Sequence, residues 1–258
     1  MSVLTTTLPE ITRPGVGVVM VSRWRLGAPE DRRAAVEAID RAWRSREWPD
    51  AGLLSYSVLT GNDGDSLLHY AQWSGPEAYE EFVRTHRDGR THRDGRTHRD
   101  GRTHRDGRTH RDGRDAEIDA AVPGIERIGM GAYELYRSLE SAAGGRRVPG
   151  CVALVEAEFD GPGAERQKAW VDAVFEALDD EPAPAPGGIS AHFHISVDGT
   201  RVLNYAEWES EQAHLDALAA PGDGVGSDTE AWRRVRNHPG LTGGAVRRYT
   251  PALSLSAG

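Results

Sequence analysis

Two short stretches carry chemically capable residues at matching spacing. In His69-Tyr-Ala-Gln-Trp73 and Asn204-Tyr-Ala-Glu-Trp208 a polar group stands four residues before a Trp. On an extended strand alternate residues share a face, so His69 looks the same way as Trp73, and Asn204 the same way as Trp208. Tyr79 and His214 follow each Trp by six residues. A side-chain amide or imidazole among apolar neighbours is costly unless it has a partner or a ligand. Asn204 and His69 are therefore candidate ligand contacts, Trp208 and Trp73 candidate aromatic walls, and His214 and Tyr79 candidate proton carriers. Each has a bland reading beside the chemical one. A Trp closing a strand can be core, and His69 and His214 can be satisfied core histidines.

The hairpins that would hold these groups turn at Asp63-Gly64 and Asp198-Gly199, a strong short-range hairpin signal. A two-residue loop at 198–199 sets Ile195 opposite Val202, Phe193 opposite Asn204, Ala191 opposite Ala206 and Ile189 opposite Trp208. That face is apolar apart from Asn204. Its first-half counterpart carries Leu54, Tyr56, Val58, Leu67, His69, Ala71 and Trp73, which makes Phe193 and Tyr56 candidate substrate contacts. The opposite face carries Ser190, His192, His194, Arg201, Tyr205 and Glu207, expected to meet the other half or solvent. His192 and His194 have the spacing of a metal pair, but no third ligand accompanies them and no metal site is expected.

These hairpins belong to an internal repeat. Residues 52–73 align with 187–208 at a constant offset of 135, identical at eight of 22 positions, which is well beyond chance. Pro123-Gly124 and Tyr133 match Pro239-Gly240 and Tyr249 at an offset of 116. The offset changes across residues 85–114, five copies of Thr-His-Arg-Asp-Gly-Arg, which read as one loop expanded by four copies and expected to be disordered. In each half a strand precedes an amphipathic helix, a hairpin, a second helix and a last strand. The expected fold is therefore α+β, two tandem ferredoxin-like β-α-β-β-α-β units packed sheet to sheet as an intrachain pseudo-dimeric barrel. The boundaries read as a tail at 1–17, a first unit at 18–140, a linker at 141–150, a second unit at 151–253 and a tail at 254–258.

Composition narrows the partners. The 258 residues carry a formal charge of −9, and because the repeat block contributes +5 the remaining 228 residues carry −14. An acidic body of this kind argues against nucleic acid or an anionic membrane as the partner. The single cysteine, Cys151, excludes a disulfide framework. The absence of a long apolar run or a signal-like N-terminus leads to the expectation of a cytoplasmic protein. Gly-Val-Gly at 15–17 precedes a strand and so is no dinucleotide fingerprint.

The paired motifs His69-Tyr-Ala-Gln-Trp73 and Asn204-Tyr-Ala-Glu-Trp208, with Tyr79 and His214 beyond them, resemble the antibiotic biosynthesis monooxygenase family of dimeric α+β barrels. Anthrone-oxidising members use an Asn, a Trp, a Tyr six residues on and an Arg near the second helix. The second half keeps Asn204 and Trp208 but has His214 for the Tyr, and the first keeps Trp73 and Tyr79 but has His69 for the Asn. Arg233, Arg234 and Arg236 are candidates for the Arg, with Arg233 carried as a substrate contact. The resemblance implies oxygenation of a polycyclic aromatic polyketide, anthrone or phenol to quinone, with molecular oxygen and no cofactor. Asn204 would be the donor, Trp208 the wall and His214 the acid or base. A polyketide cyclase and a non-catalytic small-molecule binding protein are the competing readings, and a haem-degrading member is a fourth. The expected partner is a small aromatic molecule, with a homodimer of the fused pair left open.

Overall fold

The computed structural model describes residues 3–49, 52–88, 113–140, 147–181, 184–220 and 227–257. After a short strand β1 (Val3–Thr6), the first unit runs β2 (Val18–Arg25), α1 (Asp31–Arg44), β3 (Leu53–Gly61), β4 (Ser66–Trp73), α2 (Pro76–Asp88), α3 (Gly113–Ala121) and β5 (Glu126–Glu140). The second repeats this order with β6 (Cys151–Phe159), α4 (Ala164–Asp179), β7 (Gly188–Ser196), β8 (Arg201–Trp208), α5 (Glu211–Ala219), α6 (Glu230–Arg236) and β9 (Leu241–Ala257). Among the described residues each unit thus holds one helix more than the sequence suggests. α3 and α6 are short, and each turns a few apolar residues inward, Ile118 in one and Trp232 and Val235 in the other. Such pieces are too brief to show a helical period in sequence.

The strands form one sheet in the order β1-β9-β3-β4-β2-β5-β7-β8-β6, and β6 also pairs with β9, so eight strands close into a barrel. Closure depends on the last strand of each unit. β5 pairs with β2 through Glu126–Tyr133 and then with β7 through Tyr133–Glu140. β9 pairs with β6 through Leu241–Tyr249 and with β3 from Tyr249 onward. The units are thus tandem ferredoxin-like folds joined through a shared antiparallel barrel, with helices outside it.

Both expected tails are structured in part. β1 lies along the end of β9, with Val3 opposite Ala257, and β9 continues past residue 253 to Ala257. Gln72 donates to the carbonyls of Glu10 and Ile11, and Ile11 is buried with the barrel lining. The strand residues with unpaired edges at these ends have partners available, which is why they do not remain free. The repeat block contributes its first residues to α2 and its last two, Gly113 and Arg114, to α3; its expected disorder, and most of the expected linker, fall outside the described residues.

Alternation along the strands separates three apolar layers. Val19, Val21, Leu68, Tyr70, Leu154, Leu203, Tyr205 and Tyr249 fill the barrel. Met20, Trp24, Leu67, Ala71 and Trp73 face the first unit's helices, whereas Phe193, Val202, Ala206 and Trp208 face those of the second. The His192/His194 face is barrel interior: His194 Nε2 and the Tyr70 hydroxyl of the other unit are hydrogen-bonded at 2.9 Å, and His192 bonds to Ser138 and Ser190. Among the described residues no helix is long and apolar enough to cross a membrane, and no group of three or more His, Cys, Asp or Glu side chains could hold a metal ion.

Candidate functional site

The hairpin register places the candidate groups between sheet and helices. Phe193 pairs with Asn204 and Ala191 with Ala206 as the turn requires. The connection is four residues long, 197–200, closed by the Asp198 carboxylate accepting from the Thr200 N–H and hydroxyl. At the far end a bulge at Ile189 sets Trp208 opposite Gly188 instead of Ile189. The same irregularity at Leu54 sets Trp73 opposite Leu53. Each bulge turns the end of its strand without moving the Trp off the helix-facing side.

In the second unit Asn204 is half-buried, and its Oδ1 is buried without a hydrogen-bond partner. Four residues on, Trp208 is buried with its indole Nε1 likewise unpaired. The Trp208 ring lies against His214 of α5, centroids 4.9 Å apart. Arg248 of β9 donates from Nε to His214 Nδ1 at 2.9 Å. A guanidinium can only donate, so Nδ1 is the acceptor and the neutral ring carries its proton on Nε2. Burial, then the Arg248 charge, holds the imidazole down to about 4 against a weaker opposite pull from Glu211. His214 is thus a neutral hydrogen-bond donor and a poor base near neutral pH.

Phe193 and Val155 stand directly beside Asn204, and the rows flanking it on the same face carry alanines. Register sets Ala153 and Ala191 on either side of Ala206, and Ala157 beside Val202. The matching positions of the first unit hold Met20 and Tyr56 beside Ala71, and Trp24 beside Leu67. On the overlying helices Ala217 corresponds to Phe82 at the repeat offset. In the first unit these large side chains close on His69. Trp24 packs on its ring at 4.0 Å, the Tyr56 hydroxyl bonds Nδ1 at 2.6 Å, and Tyr56 stacks on Trp43 at 4.5 Å. The Arg127 guanidinium covers Trp24 from outside, 4.6 Å from the ring centroid. Its register counterpart in the second unit is Gly244. Phe82 and Tyr79 pack on Trp73, with Tyr79 donating to Met130 Sδ. Burial holds His69 near 3, with Arg127 adding to the effect.

The sequence candidates therefore separate. Trp208 and His214 come together, and Asn204 shares their helix-facing side four residues back along β8, with Val155 and the exposed Val246 continuing the row from Asn204. His69, Trp73, Tyr79 and Tyr56 also come together, but as a packed aromatic core. Phe193 neighbours Asn204 in register, yet it is buried against Phe175 under α4, 5.4 Å between centroids, and belongs to the core. Arg233 is not with the other candidates: α6 turns Ala231, Trp232 and Val235 inward, so Arg233, Arg234 and Arg236 point out. Arg233 and Arg234 line a shallow outer groove of about 530 Å³ with Glu176, Glu230 and His238. The cation that does reach the site, Arg248, was missed because it lies on the last strand, forty residues beyond Trp208. Its alternation with the inward Tyr249 was the signal. Gln167 on α4, fully buried with both amide atoms unpaired, was also missed.

Residues 152–222, the core of the second unit, match the family model described as antibiotic biosynthesis monooxygenase. A Streptomyces glaucescens protein named tetracenomycin-F1 monooxygenase is 41% identical over 51 residues, 20% of this chain. The match spans about half of that relative's length, 46%. In fold, the chain is similar to an anthrone oxidase-like protein at 18% identity, TM-score 0.61, with 93% of each chain covered. It is also similar to a Lactobacillus acidophilus protein described as a candidate monooxygenase, at 8% identity and TM-score 0.50, covering 92% of this chain and 95% of that one. These last two likenesses carry the fold across both units, and residues 152–222, within the second unit, are the part of the chain that is similar to the antibiotic biosynthesis monooxygenases.

Proposed function

We propose that the chain is a monooxygenase acting with molecular oxygen on an electron-rich polycyclic phenol or anthrone of polyketide origin, at one site in its second unit. The observation that carries this reading is the unpaired Asn204 Oδ1 between rows that carry Ala153, Ala157 and Ala191, where the first unit carries Met20, Trp24 and Tyr56. Asn204 and Trp208 lie about 13 Å apart along the strand. They offer an acceptor and a donor to oxygens at opposite edges of a planar ring system, with the alanines giving a flat apolar bed. His214 would present its Nε2–H to the oxygen that gains charge as the substrate ionises to its enolate.

In that reaction the ring carbon loses one proton to form the enolate, then bonds to oxygen as the enolate reduces it. Loss of the second proton on that carbon breaks the O–O bond, leaving a quinone carbonyl and water. Because His214 Nδ1 is occupied, the first proton goes to solvent or to a group on the substrate itself, and the acid-base role expected of His214 becomes one of hydrogen-bond donation. The test is incubation of metal-free protein with an anthrone while oxygen uptake and quinone absorbance are followed together. Uptake matched to quinone, lost in Asn204→Ala, supports the proposal. Ring closure without oxygen uptake would make the protein a cyclase on the same bed, and saturable binding with neither would make it a binding protein.

A further inference from the structure

The polar groups around His214 come from both units. Asn62, in the β3–β4 turn of the first unit, donates from its backbone N–H to the Arg248 carbonyl at 2.9 Å and from its side chain to the Glu211 carboxylate at 2.8 Å. Thr250 donates to the Asn62 carbonyl oxygen at 3.1 Å, which fixes which end of the amide faces Glu211. Arg248 in turn donates to His214. One turn of the first unit thus pairs with the backbone of Arg248 and holds the Glu211 carboxylate, the two charged neighbours of a histidine in the second.

The repeat supplies an internal control. On the other side of the barrel the backbone bond is kept, Val197 N–H to the Ala132 carbonyl at 2.9 Å. Every side chain of the network is absent there. Asn62 becomes Val197, Arg248 becomes Ala132, Glu211 becomes Pro76 and His214 becomes Tyr79 at the repeat offsets. The shared backbone bond is a property of the fold, and the side-chain network is a property of one site. It stands at the same end as the small-residue bed, an independent feature of the same unit.

We infer that Arg248 and Asn62 are positioning residues through which the first unit fixes His214 of the second as the Nε2–H tautomer facing the site. The role assigned to His214 rests on the proposed function, but its proton arrangement does not. Among the described residues, the charged groups acting on the ring are Arg248 from β9 and Glu211 from its own helix; the Cys151 thiol of β6, which burial pushes up to about 11, is acted on by the same two groups. With Arg248 present the ring stays neutral. Without it, both the donor that selects the tautomer and the charge that opposes protonation are gone, so the histidine's pKa must rise.

The experiment is nitrogen-15 NMR of the histidine rings in the full chain, the His214 signal assigned by its loss in His214→Phe. Expected for the unaltered chain is a bare Nδ1 and a protonated Nε2 from pH 8 down to pH 5. Arg248→Met should give mixed tautomers and protonation at higher pH, Arg248→Lys should keep the original tautomer, and Asn62→Val should move the signal in the Met direction by a smaller amount. An Nδ1–H or averaged ring in the unaltered chain would overturn the inference even if no variant folds. An unchanged signal in Asn62→Val would remove the first unit from it. Failure of the oxygenase reading would show as absent oxygen uptake with these spectra intact.

Discussion

At the scale of single residues, the two units differ in what they do with one patch of sheet. Ala153, Ala157, Ala191 and Ala217 stand where Met20, Trp24, Tyr56 and Phe82 stand, a difference of several side-chain volumes at equivalent positions. Placing Tyr at the half-buried position 191 copies part of the first unit's plug into the second, whereas Ala157 is already buried in the cluster of Phe159, Trp170 and Val171. In a filled core such insertions cost roughly 1–3 kcal/mol. Over the bed proposed for the substrate, the insertion at 191 would cost little and abolish the space. Ala191→Tyr should therefore hold the thermal midpoint within a few degrees while ligand binding and turnover fall to background; a collapse of the midpoint would mean that the bed is already packed. Trp24→Ala should do the reverse, costing roughly 3–5 kcal/mol of stability in chemical denaturation with turnover kept in whatever remains folded. Asn204, Trp208 and His214 were legible because strand alternation and one helical turn fix their common face. Which of the two similar triplets is flanked by small residues was not, because that depends on residues of β6 and β7 whose alanines carry no signal until register sets them beside Ala206 and Val202. Arg233 misled because its helix has only seven residues, too few to show which face turns inward.

At the scale of elements, hairpin turns and bulges carry the site. Gly199 sits at φ +70° in the β7–β8 connection, and a Cβ there would meet the Gly163 backbone nitrogen at 3.0 Å. Gly199→Ala should destabilise the chain by about 1–2 kcal/mol, measured as a shift of the urea midpoint at constant slope, with the pairing of Phe193 and Asn204 kept. Loss of ligand binding beyond what the unfolded fraction explains would show that the turn does more than set register. The Asp-Gly signal gave this turn and the correct pairing near it. It gave the wrong loop length, because the symmetric four-residue loop leaves the same positions opposed as a two-residue one. The bulges at Leu54 and Ile189 were invisible, since an extra strand residue has no composition of its own. The doubled role of β5 and β9 was also hidden: each is long enough to serve two neighbours, but only barrel closure shows where one partner ends and the next begins.

At the scale of the whole molecule, the closed barrel and its helical layers bury imidazoles that water would otherwise protonate. His194 is sealed in the barrel against Tyr70 of the other unit, and His192 bonds to Ser138 beside it. Burial is the leading cause in holding His192, His194 and His214 to about 4 and His69 to about 3. Unfolding returns each to an ordinary value near 6.5. Between that value and the depressed one the unfolded chain binds more protons than the folded chain, so stability rises with pH across the window. The contribution is fully present above about pH 6.5 and is lost as the pH falls towards 4. Urea unfolding at pH 7.5, 6 and 5 should therefore show a stability nearly flat above 6.5, apart from carboxylate effects further down, and declining steeply below 6. Proton uptake on unfolding at pH 5 should approach one per buried histidine, four in all, readable by calorimetry in buffers of different ionisation enthalpy. His194→Gln would remove one proton from that count and leave the site's binding unchanged, since His194 lies on the barrel side of β7 and Asn204 on the helix side of β8. An uptake near zero at pH 5 would mean that the histidines are protonated in the folded barrel, and that the seam between the units is hydrated instead of sealed.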